Sequence, residues 1–176
     1  MTVKQTLLNN DAGIQRHAVM VRWQDHGLLI CGPPGIGKSS LALAILNLGG
    51  QFIADDSVDI YRQNEQLIAR CPANALGLLH SRELGMLDIT ALFGPAAVVT
   101  SAPVTAVIEL RPAPSETVSF NPQQSIDLLG IKLPMLALSV SNPLSLTERI
   151  AIWLRQQQLP EAKSNFIDLQ HPPAKS

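Results

Sequence analysis

Between an apolar run and a helix-forming run the chain carries Gly32-Pro33-Pro34-Gly35-Ile36-Gly37-Lys38-Ser39, and no other feature narrows its fold as far. The spacing matches G-x-x-x-x-G-K-[ST], which works only where a strand delivers the chain into a tight turn and a helix starts straight after it. Its glycines let successive backbone N–H groups point inward around a triphosphate, and the helix N-terminus adds the positive end of its dipole. The flanks comply. Gly27-Leu-Leu-Ile-Cys31 reads as a strand, while Ser40 to Leu48 is rich in strong helix formers and Gly49-Gly50 supplies the stop. An earlier strand over His17 to Trp23 is joined to it by the polar turn Gln24-Asp25-His26. The expectation is an α/β chain with a P-loop-containing mixed sheet flanked by helices. In it Lys38 is placed to bridge β- and γ-phosphates and Ser39 to ligate Mg2+.

Asp55-Asp56 follows Lys38 by 17 and 18 residues, just past the apolar run Gln51 to Ala54. One helix and one return strand fill that gap, so the pair is expected at the same sheet edge as the loop. Adjacent carboxylates there can divide two tasks, one holding Mg2+ and the other accepting the proton of an attacking hydroxyl. A solvated acidic turn is the competing reading, and the spacing alone does not say which Asp does what.

Charge narrows the partners. Charged residues make up 15% of the chain, with a formal net charge of -1 and no Lys/Arg run, which speaks against nucleic acid or an acidic membrane surface as partner. The uncharged stretch Ile89 to Ile108 is long enough to span a bilayer, but Gly94, Pro95, Pro103 and several hydroxyl residues interrupt it, so no membrane span is expected. Met1 to Asp11 lacks the apolar core of an export signal. Cys31 and Cys71 have neither metal-site spacing nor a disulfide framework. The cytoplasm is the expected compartment. A single domain is expected over residues 1–158, with a polar tail over 159–176 anchored at most by Phe166 to Leu169. Further strands are expected at Ser57–Arg62 and Gln66–Arg70 as a hairpin, Val98–Val99, Val104–Leu110, Thr117–Phe120, Ser125–Leu129 and Leu133–Val140, where Pro134 weakens the start. Pro72 to Leu92 reads as short helical turns and loop. Ser145 and Glu148 form a capping-box signature for a last helix with the apolar stripe Leu146, Ile150, Trp153, Leu154.

Taken together, His17, the loop from Gly32 to Ser39, Phe-Ile-Ala-Asp55-Asp56-Ser-Val-Asp-Ile60, Arg82-Glu-Leu-Gly85-Met-Leu-Asp-Ile89 and Leu92-Phe-Gly94 resemble the catalytic domain of the HPr kinase/phosphorylase family. The resemblance covers roughly His17 to Leu138 and implies a short form without the N-terminal domain of longer members. It implies an enzyme that phosphorylates a serine of the phosphocarrier HPr, using ATP or pyrophosphate with Mg2+, in phosphotransferase-linked control of carbon metabolism, and that assembles as a hexamer. It further implies that Lys38 binds phosphate, Ser39 and Asp55 lie on the metal side, Asp56 is the proton acceptor, and His17 and Arg82 belong to the active site. The chain departs from the family pattern in three places. His80 stands where the family signature has a metal-site Glu, and neither Ser115–Gln124 nor Val140–Leu146 contains the basic residue that the family has there. The kinase parts are therefore expected and the reverse phosphorolysis is in question. A small-molecule kinase and a nucleotide-sensing module without transfer are the alternatives.

Overall fold

The computed structural model describes residues 13–113 and 124–159, in two compact units, Met1–Asn142 and Pro143–Ser176. In the first unit a six-stranded sheet contains β2 (Val19–Trp23), β3 (His26–Cys31), β4 (Gln51–Ala54), β10 (Ala106–Arg111), β11 (Ser125–Leu128) and β12 (Ile131–Ser139). Their spatial order is β11-β12-β10-β3-β2-β4. β3, β10 and β12 are parallel neighbours, whereas β2 is antiparallel to β3 and β4 to β2. Two reversals give β4 the direction of β3. The residues leaving both strands, the glycine loop and Asp55-Asp56, therefore emerge at one sheet edge. The mixed α/β fold is as expected.

A four-stranded antiparallel sheet, β1 (Ile14–Arg16), β5 (Val58–Gln63), β6 (Gln66–Arg70) and β9 (Ser101–Val104) in the order β1-β5-β6-β9, lies across the first. Met20, Leu29, Ile53 and Val107 of the larger sheet share one buried cluster with Ile60, Leu67, Ala69 and Val104 of the smaller. Their alternates Val21, Leu28, Ile30 and Phe52 are buried as well, on the face where α1 (Lys38–Asn47) packs against β2 and β4. Burial on both faces is why these strands read as continuous apolar runs rather than alternating ones.

Several boundaries differ from expectation, each for a local reason. The β2–β3 turn is only Gln24-Asp25, both at positive φ, because a two-residue hairpin loop of this hand matches strand twist; His26 belongs to β3. The turn of the β5–β6 hairpin is likewise shorter, with Gln63 paired to Gln66. Val98 makes a single bridge to Phe52 rather than a strand. Val104 to Leu110 is not one strand: the chain changes sheets at Thr105, whose N–H donates to the Gly27 carbonyl at 2.8 Å. Pro134 sits inside β12 without cost to pairing. It faces Ser125, and the neighbouring Met135 N–H donates to the Gln124 carbonyl at 2.8 Å, so Pro134 occupies a non-hydrogen-bonded position where no N–H is needed.

The largest correction concerns Pro72 to Leu92. This segment forms a hairpin of β7 (Leu78–Ser81) and β8 (Gly85–Asp88), then α2 (Ile89–Phe93), capped by Asp88 accepting from Ala91 N–H. Apolar side chains occupy both its faces, so period-two alternation was not there to be read. Thr117–Phe120, Phe166–Leu169 and Met1–Asp11 lie outside the described residues. No helix among those described is long and apolar enough to cross a membrane. In the second unit α3 (Leu146–Gln157) starts as expected: Ser145 Oγ accepts from Glu148 N–H at 3.2 Å and donates to Glu148 Oε2 at 2.6 Å.

Candidate active site

The loop after β3 turns back on itself through Gly32, Gly35 and Gly37, all at positive φ. Lys38, 7% exposed, curls under it and donates to the Gly32 carbonyl at 2.9 Å and the Pro33 carbonyl at 3.1 Å. Ile36 N–H closes the turn onto the Pro33 carbonyl. Gly35 answers to a neighbour as well as to its φ of 76°. The Arg82 guanidinium, projecting from the β7–β8 turn, lies over it, so a Cβ there would collide with Nη2 and sit 3.0 Å from Cζ. Arg82 makes no ion pair or hydrogen bond among the described residues.

The two carboxylates have different surroundings. Asp55 is engaged at both oxygens: Oδ1 accepts from Ser39 Oγ at 3.0 Å and Oδ2 from the His80 backbone N–H at 2.8 Å. Asp56 projects the other way. Its backbone has a φ of 67°, and Ser57 N–H closes a three-residue turn onto the Asp55 carbonyl at 2.8 Å. Such a turn is strained for a non-glycine residue and costs of order 1–3 kcal/mol. One Asp56 oxygen lies 2.9 Å from His17 Nδ1, which also lies 3.0 Å from the Asp56 carbonyl. Both partners are acceptors, so Nδ1 carries the hydrogen. The other Asp56 oxygen has no protein partner among the described residues.

These groups border one cleft of about 1230 Å³, lined by His17, Gly35, Lys38, Ser39, Asp55, Asp56 and Arg82 among others. Every charged or polar residue singled out from the sequence is thus in one place; Ile36, Gly32 and Pro33 shape the loop without lining the cleft. Sequence reasoning did not flag Gln15, Leu78, Leu84 or Met86, which line it too. Gln15 Nε2 donates to Asp59 Oδ1 at 3.0 Å, tying the strand before His17 to β5. Neither thiol is an activated nucleophile: burial pushes both Cys31 and Cys71 up from the ordinary thiol range. In the second unit Arg149 Nε donates to the Leu144 and Ser145 carbonyls at the start of its own helix.

The donor set suits a hard cation. Ser39 Oγ and Asp55 Oδ1 are adjacent oxygens at the mouth of the loop, and Mg2+ in phosphate sites takes one or two protein oxygens plus phosphates and waters. No group of three His, Cys, Asp or Glu is placed around one point among the described residues, so an all-protein metal cage is not what the site offers.

Fold and cleft define a mixed α/β protein that gathers an ammonium, two carboxylates, an imidazole and a guanidinium at the carboxyl edge of its sheet. Residues 11–167 match the family described as HPr Serine kinase C-terminal domain. Among curated proteins the chain is 36% identical over 115 residues to an HPr kinase/phosphorylase of Lactiplantibacillus plantarum, covering 65% of this chain and 34% of that protein. It is 35% identical over 130 residues to one of Streptococcus thermophilus, covering 72% and 42%. Among solved structures, the Hpr(Ser) kinase/phosphatase of Coxiella burnetii superposes with a TM-score of 0.75 at 31% identity, over 86% of this chain and 94% of that one. The chain belongs to the HPr Serine kinase C-terminal domain family. It spans about a third to two-fifths of the length of these curated relatives.

Proposed function

We propose that this chain is an ATP- and Mg2+-dependent protein-serine kinase that phosphorylates a serine of the phosphocarrier HPr; the names HPr kinase/phosphorylase and Hpr(Ser) kinase/phosphatase of its relatives support the kinase reading. The observation that carries the reading is the division of labour between the carboxylates. Asp55 is held from both sides next to Ser39, while one Asp56 oxygen has no partner among the described residues. The loop amides and Lys38 bind the β- and γ-phosphates of ATP, or the two phosphates of pyrophosphate. Ser39 and Asp55 are the residues that would hold Mg2+, which would neutralise phosphate charge. Arg82 lies over the loop and adds donors to the transferred group. The free Asp56 oxygen takes the proton of the incoming serine hydroxyl, and His17 fixes the carboxylate's orientation through Nδ1. We assign the chain to the cytoplasm and to a homo-oligomer, a hexamer by resemblance. The residues present supply the forward reaction. The absence of basic residues from Val140–Leu146 leaves phosphorolysis outside this proposal.

Incubation with labelled ATP, Mg2+ and HPr tests it: label on HPr serine is expected, and intact ATP binding without transfer would sink the kinase in favour of a nucleotide sensor. His80, whose imidazole is a poor partner for Mg2+, is the feature that favours that second reading. Two variants probe the parts. Ser39→Ala should raise the Mg2+ concentration for half-maximal transfer about tenfold, ~1.4 kcal/mol, in a Mg2+ titration. Arg82→Ala should lower kcat by about 10²-fold or more with little change in ATP binding, because Arg82 serves the transferred group rather than the loop.

A further inference from the structure

The β7–β8 hairpin carries a surface that phosphate transfer does not use. Leu79 and Ser81 turn inward, 0% and 9% exposed, and anchor the hairpin, while Leu78 and His80 turn outward. The register sets Met86 opposite His80, and cross-strand partners share a face. Leu78, His80, Met86 and Asp88, the partner of Leu78, therefore form one outer face, with Leu84 in the turn beyond Met86. Leu84 is 67% exposed, Met86 63% and Leu78 39%. Single exposed apolar residues are ordinary; three on one short hairpin form a patch of the kind that marks interaction sites. The same three side chains line the cleft that contains Asp56 and Lys38.

We propose that this face is the docking surface for the protein substrate, a folded acceptor with apolar side chains flanking its phosphorylated serine. The inference rests on the kinase reading above and adds where the acceptor is gripped. Position identifies the occupant. A hydroxyl that reaches Asp56 enters through this cleft, and the molecule bearing it lies against Leu78, Leu84 and Met86, which are walls of the same cleft. A polyphosphate has no use for an apolar wall, and a small polar acceptor would leave these side chains wet. A second copy of the chain seated there would close the cleft to the acceptor. Docking also touches the chemistry, because the same hairpin holds Asp55 through the His80 N–H and lays Arg82 over Gly35.

The test is a Leu84→Ser, Met86→Ser double variant assayed for transfer from labelled ATP to HPr across HPr concentrations, with ATP affinity, melting temperature and gel filtration in parallel. The KM for HPr is expected to rise about tenfold or more, with kcat at saturation, ATP affinity and melting temperature unchanged. A KM within about twofold of wild type overturns the docking surface and leaves the kinase standing. A smaller assembly in the variant assigns the face to a second copy and also overturns it. A wild-type protein that labels no HPr overturns the kinase reading first, and the docking surface with it.

Discussion

Asp56→Asn is expected to lower the rate of phosphate transfer by about 10²–10⁴-fold while ATP binds as well as before or slightly more tightly. The amide keeps the size and shape of the carboxylate and tolerates the left-handed backbone at φ 67°, so the turn after β4 stays folded. It cannot take a proton. Removing a negative charge beside the phosphates favours anion binding, which is why affinity should not fall. Asp55→Asn is the informative companion. Both Asp55 oxygens accept hydrogen bonds, from Ser39 Oγ and from His80 N–H; an amide keeps the second through its oxygen and turns its NH2 to Ser39 Oγ, which must then accept instead of donate. This variant should need more Mg2+, because a neutral amide replaces the carboxylate beside Ser39, and should melt only slightly lower, by about 1 kcal/mol for the weakened part-buried contact. Single-turnover transfer, Mg2+ titration and thermal melting separate the two. If Asp55→Asn abolished the chemical step and Asp56→Asn spared it, the assignment of the base would be reversed.

Gly27→Ala is expected to cost about 3 kcal/mol or more of stability, at or beyond the upper end for overpacking, and to lower the melting temperature by about 6–12 °C. Gly27 lies in β3 where the chain passes from β9 to β10. Its carbonyl accepts Thr105 N–H at 2.8 Å, and its N–H donates to Thr105 Oγ1 at 3.0 Å. A Cβ would overlap the Pro103 carbonyl oxygen and lie 2.9 Å from the carbonyl carbon. Both are backbone atoms, so relief requires moving β9 away from β3 and loosening the junction of the two sheets. Thr105→Val keeps the side-chain shape but removes the acceptor, and should cost less, about 1–2 kcal/mol. Thermal and denaturant unfolding measure both. A Gly27→Ala protein melting within about 2 °C of wild type, which corresponds to under 1 kcal/mol, would mean that the sheets do not meet as closely as described.

Much of this was legible before any coordinates. The loop from Gly32 to Ser39, α1 and its Gly49-Gly50 stop, and β4 running into Asp55-Asp56 follow from local rules: glycine where φ is positive, helix formers after it, an apolar run for a buried strand. Helix α3 was legible for the same reason, since a capping box and a 3.6-residue stripe are written in neighbouring residues. The β7–β8 hairpin was not. Its outer face carries apolar side chains as its inner one does, and a pattern that reports burial is silent where apolar side chains stay exposed. Nor could the sheet change at Thr105 be read, because one continuous apolar run serves either of two sheets equally well.

The sequence by itself determined the family of the chain and the inventory of its candidate site: a lysine and serine on a phosphate-type loop, a carboxylate pair at the right separation, and a histidine and an arginine far from both. The tertiary structure alone gave the two carboxylates different surroundings. Asp55 and Asp56 are neighbours with the same chemistry, and only the fold gives one of them Ser39 and a strand N–H and the other His17, with one oxygen unpartnered among the described residues. That difference rests on contacts across 16, 25 and 39 residues of chain, made when β4 takes the direction of β3 and the hairpin closes over the loop. Local propensity has no term for such contacts.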